Sequence, residues 1–208
     1  MFRKYEKDYA SKLTEEEIRK NFKIVAEMEP VRNIRENVLD RYEGKPDKQL
    51  IQYFDSLNRR VITEYGEVGL TKKSAKDINH HSLTKLKAYG VDALISVLKK
   101  GKVIYYKKDY KKTGKDRLDI AAPVEISKGL LEGKYIMGVA VIVSPASKRV
   151  SLLELAIEKE SYEATIGNKL PTHGSDSSSM LTLLQQVIDV KNGTRTLDQV
   201  TAIGIDSK

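Results

Sequence analysis

The sequence predicts an α+β fold: a helical N-terminal portion, then two helices and a four-stranded antiparallel sheet, then a C-terminal helix. Three observations lead to this prediction. Apolar residues recur at helical spacing through the first third of the 208-residue chain. After Gly101 the apolar residues follow the pattern of β-strands instead. Residues 135–143 are almost wholly apolar, which indicates a central strand covered by helices on at least one face.

The first helices show end signals as well as spacing. Thr14 and the three glutamates after it form a capping box, and Pro30 ends that helix. A second helix is expected from about residue 31 to Gly44, and a third begins at Asp47. The apolar stripes of all three indicate packing rather than chemistry.

The remaining elements follow from turn residues and period. Thr71 or Ser74 caps a helix that carries both adjacent histidines, and a further helix ends at Gly101. Residues 103–106, 118–126, 135–143 and 150–157 are expected to form four consecutive antiparallel strands. Residues 180–188 again show helical spacing.

The composition favours a polyanionic partner. The chain has 37 Lys and Arg against 29 Asp and Glu, a net charge of +8, with the excess between residues 72 and 117. An excess of positive charge attracts nucleic acid, although a lysine-rich surface that only keeps the protein soluble would have the same composition. There are no cysteines, so disulfides and thiolate catalysis are excluded. No segment is typical of a signal peptide or membrane span, so the expected location is cytoplasmic, without membrane contact.

The adjacent residues His80 and His81 are the first candidates for chemistry. They lie among lysines, a setting that favours neutral imidazole and proton transfer near pH 7. Successive residues on a helix point about 100° apart, so only one of the two can face a given atom. Two ordinary helix histidines are the alternative. Neither is followed by a His, Asp or Glu three or four residues later, so we expect no metal site.

Residues 99–117 interleave tyrosines with cations. This composition suits a surface that neutralises phosphates and stacks on bases. The alternative is an edge strand that its lysines protect from aggregation. No P-loop, dinucleotide-binding, nucleophile-elbow or zinc-protease motif occurs, so we expect no cofactor.

Residues 69–104 resemble the phage-associated barnase/EndoU/colicin/RelE-like nuclease domains of large polyvalent phage and mobile-element proteins. The residues that carry the resemblance begin with Gly69, Thr71, Lys73, Ser74, Asp77, His80 and His81. The likeness continues through residues 120–124 and the apolar strand, and covers roughly the last two thirds of the chain. It divides the chain into a helical region, 1–65, a nuclease-like domain, 66–195, and a tail, 196–208.

The resemblance implies a metal-independent endoribonuclease, a toxin or phage effector in the bacterial host cytoplasm. It would cleave RNA, tRNA included, by attack of a 2′-hydroxyl on its own phosphate. That reaction needs a base, cations for the phosphorane and an acid for the leaving oxygen. From this chemistry we assign catalytic roles to His81, His80, Lys73, Lys112 and Arg117. We assign RNA binding to Ser74, Lys102, Tyr106, Lys107 and Thr113.

One departure from the resemblance supports an alternative. In residues 150–155 the family pattern predicts an aromatic residue and a histidine, where this chain has Ser151 and Leu153. The alternative is a catalytically inactive module that binds nucleic acid or inhibits a host defence protein; an immunity protein is a further possible partner. A third hypothesis is a phage-particle domain whose N-terminal helices self-associate. The sequence predicts no particular oligomeric state.

Overall fold

The structure is a computed structural model that describes residues 13–80, 83–144, 149–160 and 180–200, with only the backbone of His80. The helices in these ranges are α1 (Glu15–Glu27), α2 (Pro46–Ser56), α3 (Lys72–His80), α4 (Lys85–Gly90), α5 (Leu94–Lys100) and α6 (Met180–Lys191). The strands are β1 (Asn33–Ile34), β2 (Arg60–Thr63), β3 (Gly66–Gly69), β4 (Lys102–Lys107), β5 (Asp116–Ile126), β6 (Gly133–Ser144) and β7 (Arg149–Lys159). Short 3-10 helices occupy Val38–Arg41, Val91–Ala93, Tyr110–Lys112 and Leu197–Gln199.

The described strands form one seven-stranded mixed sheet in the order β1-β5-β6-β7-β3-β2, and β4 also pairs with β5. The β4–β5, β5–β6, β6–β7 and β2–β3 pairs are antiparallel. The β1–β5 and β3–β7 pairs are parallel. The apolar strand β6 therefore lies in the interior of the sheet, between β5 and β7.

The predicted α+β class is confirmed, but the four-stranded antiparallel sheet and the predicted order of helices are wrong. The helix expected from about residue 31 to Gly44 is instead strand β1 and a 3-10 helix, Val38–Arg41. Strand β1 has two residues, too few to show an alternation of apolar and polar side chains. It pairs with β5, where Ile34 and its partner Ile126 are both buried. The β2–β3 hairpin adds two more strands and spans the 65/66 boundary.

Helices cover both faces of the sheet. On one face, α2, α3, α4 and α5 pack over alternate residues of β5 and β6; this core contains Phe54, Ile78, Leu94, Leu118 and Val139. On the other face, α1 and α6 pack over the intervening residues; this core contains Phe22, Val25, Ala121, Ala140 and Leu184. The N-terminal helix and the C-terminal helix thus share one core. None of the described helices has the length and apolar character needed to cross a membrane.

Local signals explain where two of these helices begin. Thr14 caps α1 as predicted, because its hydroxyl accepts a hydrogen bond from the Glu17 amide at 3.2 Å. The helix expected to run from Ser74 towards Tyr89 is divided into α3 and α4. Thr84 caps α4 by accepting a hydrogen bond from the Lys87 amide at 3.3 Å, so α4 has its own start signal.

Candidate functional site

A pocket of about 500 Å³ opens between helix α3, the β4–β5 loop and the adjoining ends of β6 and β7. We call it the α3 pocket. Its cationic lining residues are Lys73, Lys111, Lys115 and Arg149. Its hydroxyl-bearing lining residues are Thr71, Ser74, Thr113, Ser144 and Ser151, and its aromatic and apolar ones are Tyr110, Ile142, Leu152 and Leu153. Asp77 is the one carboxylate among the described lining residues.

Helix α3 forms one wall of the α3 pocket, and its cap sets its position. The Thr71 hydroxyl accepts a hydrogen bond from the Ser74 amide at 3.0 Å and lies 3.0 Å from the Ser74 hydroxyl. Ser74 and Asp77, three residues apart, share the pocket face, whereas Ile78 is buried in the core. Lys73 is 82% exposed and donates to Asp77 Oδ2 at 2.7 Å. Asp77 therefore partly balances the charge of Lys73.

The 109–115 loop forms the opposite wall, and its backbone conformation is unusual. Asp109, Lys111 and Lys112 have φ values of 47°, 55° and 56°, in the left-handed region that non-glycine residues rarely adopt. The loop is closed by hydrogen bonds from the Gly114 amide to Asp109 Oδ1 at 2.6 Å and from the Tyr110 amide to the Lys115 carbonyl at 2.6 Å. Strained residues of this kind persist only where their surroundings hold them, and they concentrate at functional sites.

Asp116 anchors this loop to the sheet. Its Oδ1 accepts a hydrogen bond from the Asp109 amide at 3.1 Å, and its Oδ2 accepts one from the Tyr106 hydroxyl at 3.2 Å. Asp116 is 8% exposed, and both bonds are partly buried. Tyr106, predicted to bind RNA, thus holds the Asp116 carboxylate that anchors the 109–115 loop.

Arg117 lies behind the α3 pocket rather than in its lining. It is 5% exposed, and its Nε and Nη2 donate to the two carboxylate oxygens of Asp119 at 2.7 and 2.9 Å. Nη2 also lies 3.4 Å from Glu154 Oε2. Nη1 donates to the Tyr110 hydroxyl at 3.1 Å. The guanidinium carbon also lies 5.2 Å from the Tyr110 ring centroid, so the Arg117 side chain contacts the pocket lining at Tyr110.

The charges of this buried cluster affect one another. Burial raises the pKa of Asp119 to about 6, although the Arg117 guanidinium opposes this shift. Burial alone would lower the pKa of Arg117, but Asp119 and Glu154 raise it overall. Arg117 therefore stays charged in the folded protein.

The sequence-predicted residues separate into three sets. Lys73, Ser74 and Thr113 line the α3 pocket. Lys112 belongs to the 109–115 loop but does not line the pocket. Arg117 is also outside the lining and donates a hydrogen bond to Tyr110, which lines it. His80 ends α3, but its side chain and the whole of His81 lie outside the described residues.

Lys102 and Lys107 stand at the two ends of β4, opposite Ala121 and Arg117 of β5, and outside the pocket lining. Among the described strands β4 pairs with β5 alone, so it is an edge strand there. Two explanations therefore account equally well for these two lysines: protection of that edge from aggregation, and RNA binding.

Sequence reasoning did not select Tyr110, Lys111, Lys115 or Arg149. The first three belong to the basic, tyrosine-containing stretch, and that interleaving was the available signal. Arg149 has no local signal, because only the β6–β7 pairing brings it to the pocket. Ser151 and Leu153, where the resemblance predicts an aromatic residue and a histidine, both line the pocket.

Within the described ranges, no three His, Asp or Glu side chains group in a way that could hold a metal ion. No protein-family model matches the chain, and neither a curated protein nor a solved structure matches it at a significant level.

Proposed function

We propose that this protein binds RNA in the α3 pocket and cleaves it as a metal-independent endoribonuclease. One observation carries the proposal: four cations from three chain segments converge on a pocket whose described lining contains a single carboxylate. Four positive charges and one negative charge leave a net charge of three positive on the lining. Because these cations repel one another, a polyanion bound between them is strongly favoured.

The rest of the lining favours a nucleotide over an inorganic anion. A site for phosphate alone has no need of the ring of Tyr110 or of the apolar side chains Ile142 and Leu153. An aromatic ring and an apolar surface beside cations suit an RNA base next to its phosphate. The volume of about 500 Å³ lies in the range of about 300–1,000 Å³ that is usual for small-molecule pockets.

The proposed reaction is transesterification. A base removes the proton of the 2′-hydroxyl, the 2′-oxygen bonds to the adjacent phosphorus, and the bond from phosphorus to the 5′-oxygen breaks. An acid returns a proton to the leaving 5′-oxygen, and a 2′,3′-cyclic phosphate remains. We assign the base to His81 or His80; in the sequence, His81 follows Asp77 by four positions. Lys73 and Lys111 would stabilise the charge that develops on the phosphorane.

A specific observation favours a second candidate function, RNA binding without cleavage. Ser151 and Leu153 line the pocket at the two positions where the resemblance predicts an aromatic residue and a histidine. A serine and a leucine supply neither a stacking ring nor an imidazole there. A protein of this kind would occupy RNA in the same pocket and leave it intact.

RNA cleavage in the presence of EDTA separates the two functions. Wild-type protein and a His80→Ala/His81→Ala variant, checked for folding by circular dichroism, are each incubated with total bacterial RNA. Cleavage by the wild type alone supports the ribonuclease and the histidine assignment. Intact RNA with both proteins, accompanied by wild-type RNA binding, rejects cleavage and supports the second function.

Binding is tested with matched lysine variants and a labelled single-stranded RNA in fluorescence anisotropy. Lys111→Ala/Lys115→Ala removes two lining cations, whereas Lys99→Ala/Lys100→Ala removes two exposed cations of α5 outside the lining. The pocket variant should bind more weakly and lower the slope of log Kd against log salt by about 1.4, the value for two lost phosphate contacts. Equal effects of the two variants would show that binding reflects overall charge and not the pocket.

A further inference from the structure

The buried ion cluster beneath the α3 pocket is not explained by stability. Asp119 is fully buried and Arg117 nearly so, and burying two charges has a desolvation penalty that their attraction often fails to exceed. Apolar residues at such positions are often at least as stabilising. The cluster therefore needs another explanation. Its side-chain contacts with the pocket are to Tyr110: Arg117 Nη1 donates to the hydroxyl at 3.1 Å, and the guanidinium carbon lies 5.2 Å from the ring centroid.

We propose that Arg117 is a positioning residue for the α3 pocket: held by Asp119 and Glu154, it fixes Tyr110 and with it the 109–115 loop that carries Lys111 and Lys115. This inference rests on the proposed RNA-binding function of the pocket. It gives Arg117 an indirect role in place of the direct phosphate contact that its charge suggests.

The strand register explains how the guanidinium is held. Asp119 of β5 and Glu154 of β7 both pair with Ala140 of β6, so the two carboxylates flank a small side chain on one face of the sheet. The Arg117 guanidinium contacts both carboxylates, one on each side of Ala140. Because Asp119 binds Nε and Nη2 together, the guanidinium plane is fixed and Nη1 points to Tyr110.

Tyr110 in turn organises the loop. Its amide donates to the Lys115 carbonyl at 2.6 Å, and its carbonyl accepts a hydrogen bond from the Thr113 hydroxyl at 2.7 Å. The next residue, Lys111, has the left-handed backbone, and its Nζ lies 5.2 Å from the Tyr110 ring centroid. A fixed Tyr110 therefore holds both loop cations in place before RNA arrives, which reduces the ordering that binding must bring about.

The most selective test is Tyr110→Phe, which removes the hydroxyl but keeps the ring and the Arg117–Asp119 pair. We expect a roughly three- to tenfold weaker RNA affinity, the usual effect of losing one such hydrogen bond. The matched control is Tyr42→Phe, which removes a hydroxyl bonded to Ser56 Oγ at 3.1 Å, outside the pocket lining. Tyr42→Phe should leave RNA affinity unchanged, and the two variants should have similar melting temperatures.

A double-mutant cycle tests whether Arg117 acts through Tyr110. Arg117→Lys keeps the charge but cannot hold the Asp119 carboxylate and the Tyr110 hydroxyl together. If the inference is correct, Arg117→Lys weakens RNA binding in the wild-type background and has a smaller effect in the Tyr110→Phe background, where only the contact between the guanidinium and the ring is left to lose. Additive effects, or a Tyr110→Phe protein that binds like the wild type, would overturn it.

Amide hydrogen exchange at Gly114 gives a readout that does not need RNA. Its amide bonds to Asp109 within the loop, so loosening of the loop in Tyr110→Phe should speed its exchange while core amides are unaffected. Unchanged Gly114 exchange overturns the positioning role. Faster exchange together with no RNA binding by the wild type would instead reject the proposed function and leave the positioning role supported.

Discussion

The side-chain amide of Asn21 on α1 donates a hydrogen bond to the Val103 carbonyl of edge strand β4 at 2.9 Å. Both residues are buried. The bond gives this backbone acceptor a side-chain donor inside the protein. It also joins the N-terminal helix to the strand that leads into the 109–115 loop.

Asn21→Leu should therefore destabilise the protein. The Val103 carbonyl would lose its partner while still buried, and we expect a free energy of unfolding lower by about 1–3 kcal/mol. Urea unfolding followed by circular dichroism measures this change. Lys23→Ala, an exposed change on the same helix, should alter stability by less than about 0.5 kcal/mol. A stability loss no larger than that of Lys23→Ala would show that the bond contributes little.

Two glycines allow close packing, and they should respond differently to alanine. A Cβ at Gly101 would lie 2.6 Å from the Val97 carbonyl oxygen and 2.8 Å from the Ala121 carbonyl oxygen, both backbone atoms. A Cβ at Gly138 would lie 2.5 Å from Met180 Sδ, at the flexible end of a side chain. We expect Gly101→Ala to lower the melting temperature more than Gly138→Ala does, because backbone atoms cannot move away from the new methyl group as a flexible side chain can. Met180→Ala leaves a cavity in the core, but it should destabilise Gly138→Ala less than it destabilises the wild type, because it also removes the clash. Additive effects of the two substitutions would contradict this.

Asp119 should make stability depend on pH. Its pKa rises from 3.8 to about 6 on folding, so between these values the folded protein holds a proton that the unfolded chain has lost. The stability contribution is fully present below pH 3.8 and is lost as pH rises through about 6. It amounts to a few kcal/mol at most. The free energy of unfolding of the wild type should therefore fall relative to that of Asp119→Asn as pH rises from 4 to 7. Parallel curves from urea unfolding would exclude this linkage.

Asp116→Ala should weaken RNA binding through the loop. The substitution removes the acceptor for the Asp109 amide and for the Tyr106 hydroxyl, so the anchor of the 109–115 loop is lost. We expect a loss of RNA affinity of about tenfold, measured by anisotropy with single-stranded RNA. Tyr106→Phe removes only one of the two bonds and should have a smaller effect. Equal binding by wild type and Asp116→Ala would show that the loop holds its shape without this anchor.

Period and end signals were enough to predict many of the elements. The four predicted strands correspond to β4, β5, β6 and β7, and residues 180–188 fall within α6. Each of these segments is long enough for the spacing of its apolar residues to indicate a helix or a strand. The sequence failed at β1 and at the β2–β3 hairpin, whose strands have two to four residues and depend on partners elsewhere in the chain.

The candidate site was predicted only in part for the same reason. Lys73, Ser74 and Thr113 were selected from the chemistry that RNA cleavage needs, and all three line the pocket. Arg149 gave no local signal, since only the β6–β7 pairing brings it to the pocket. Asp116 acquires its role from hydrogen bonds to Asp109 and Tyr106 within the β4–β5 hairpin. Arg117 was selected for its charge, but the register placed Asp119 and Glu154 around it.

The sequence by itself determined the class of the fold, the apolar centre of the sheet and the basic character of residues 72–117, because these depend on composition and on spacing along one segment. Only the tertiary structure decided which of the cations face one pocket and which is buried in an ion cluster. The physical reason is that strand pairing brings distant residues together, and a shift of one residue in register turns a side chain to the other face.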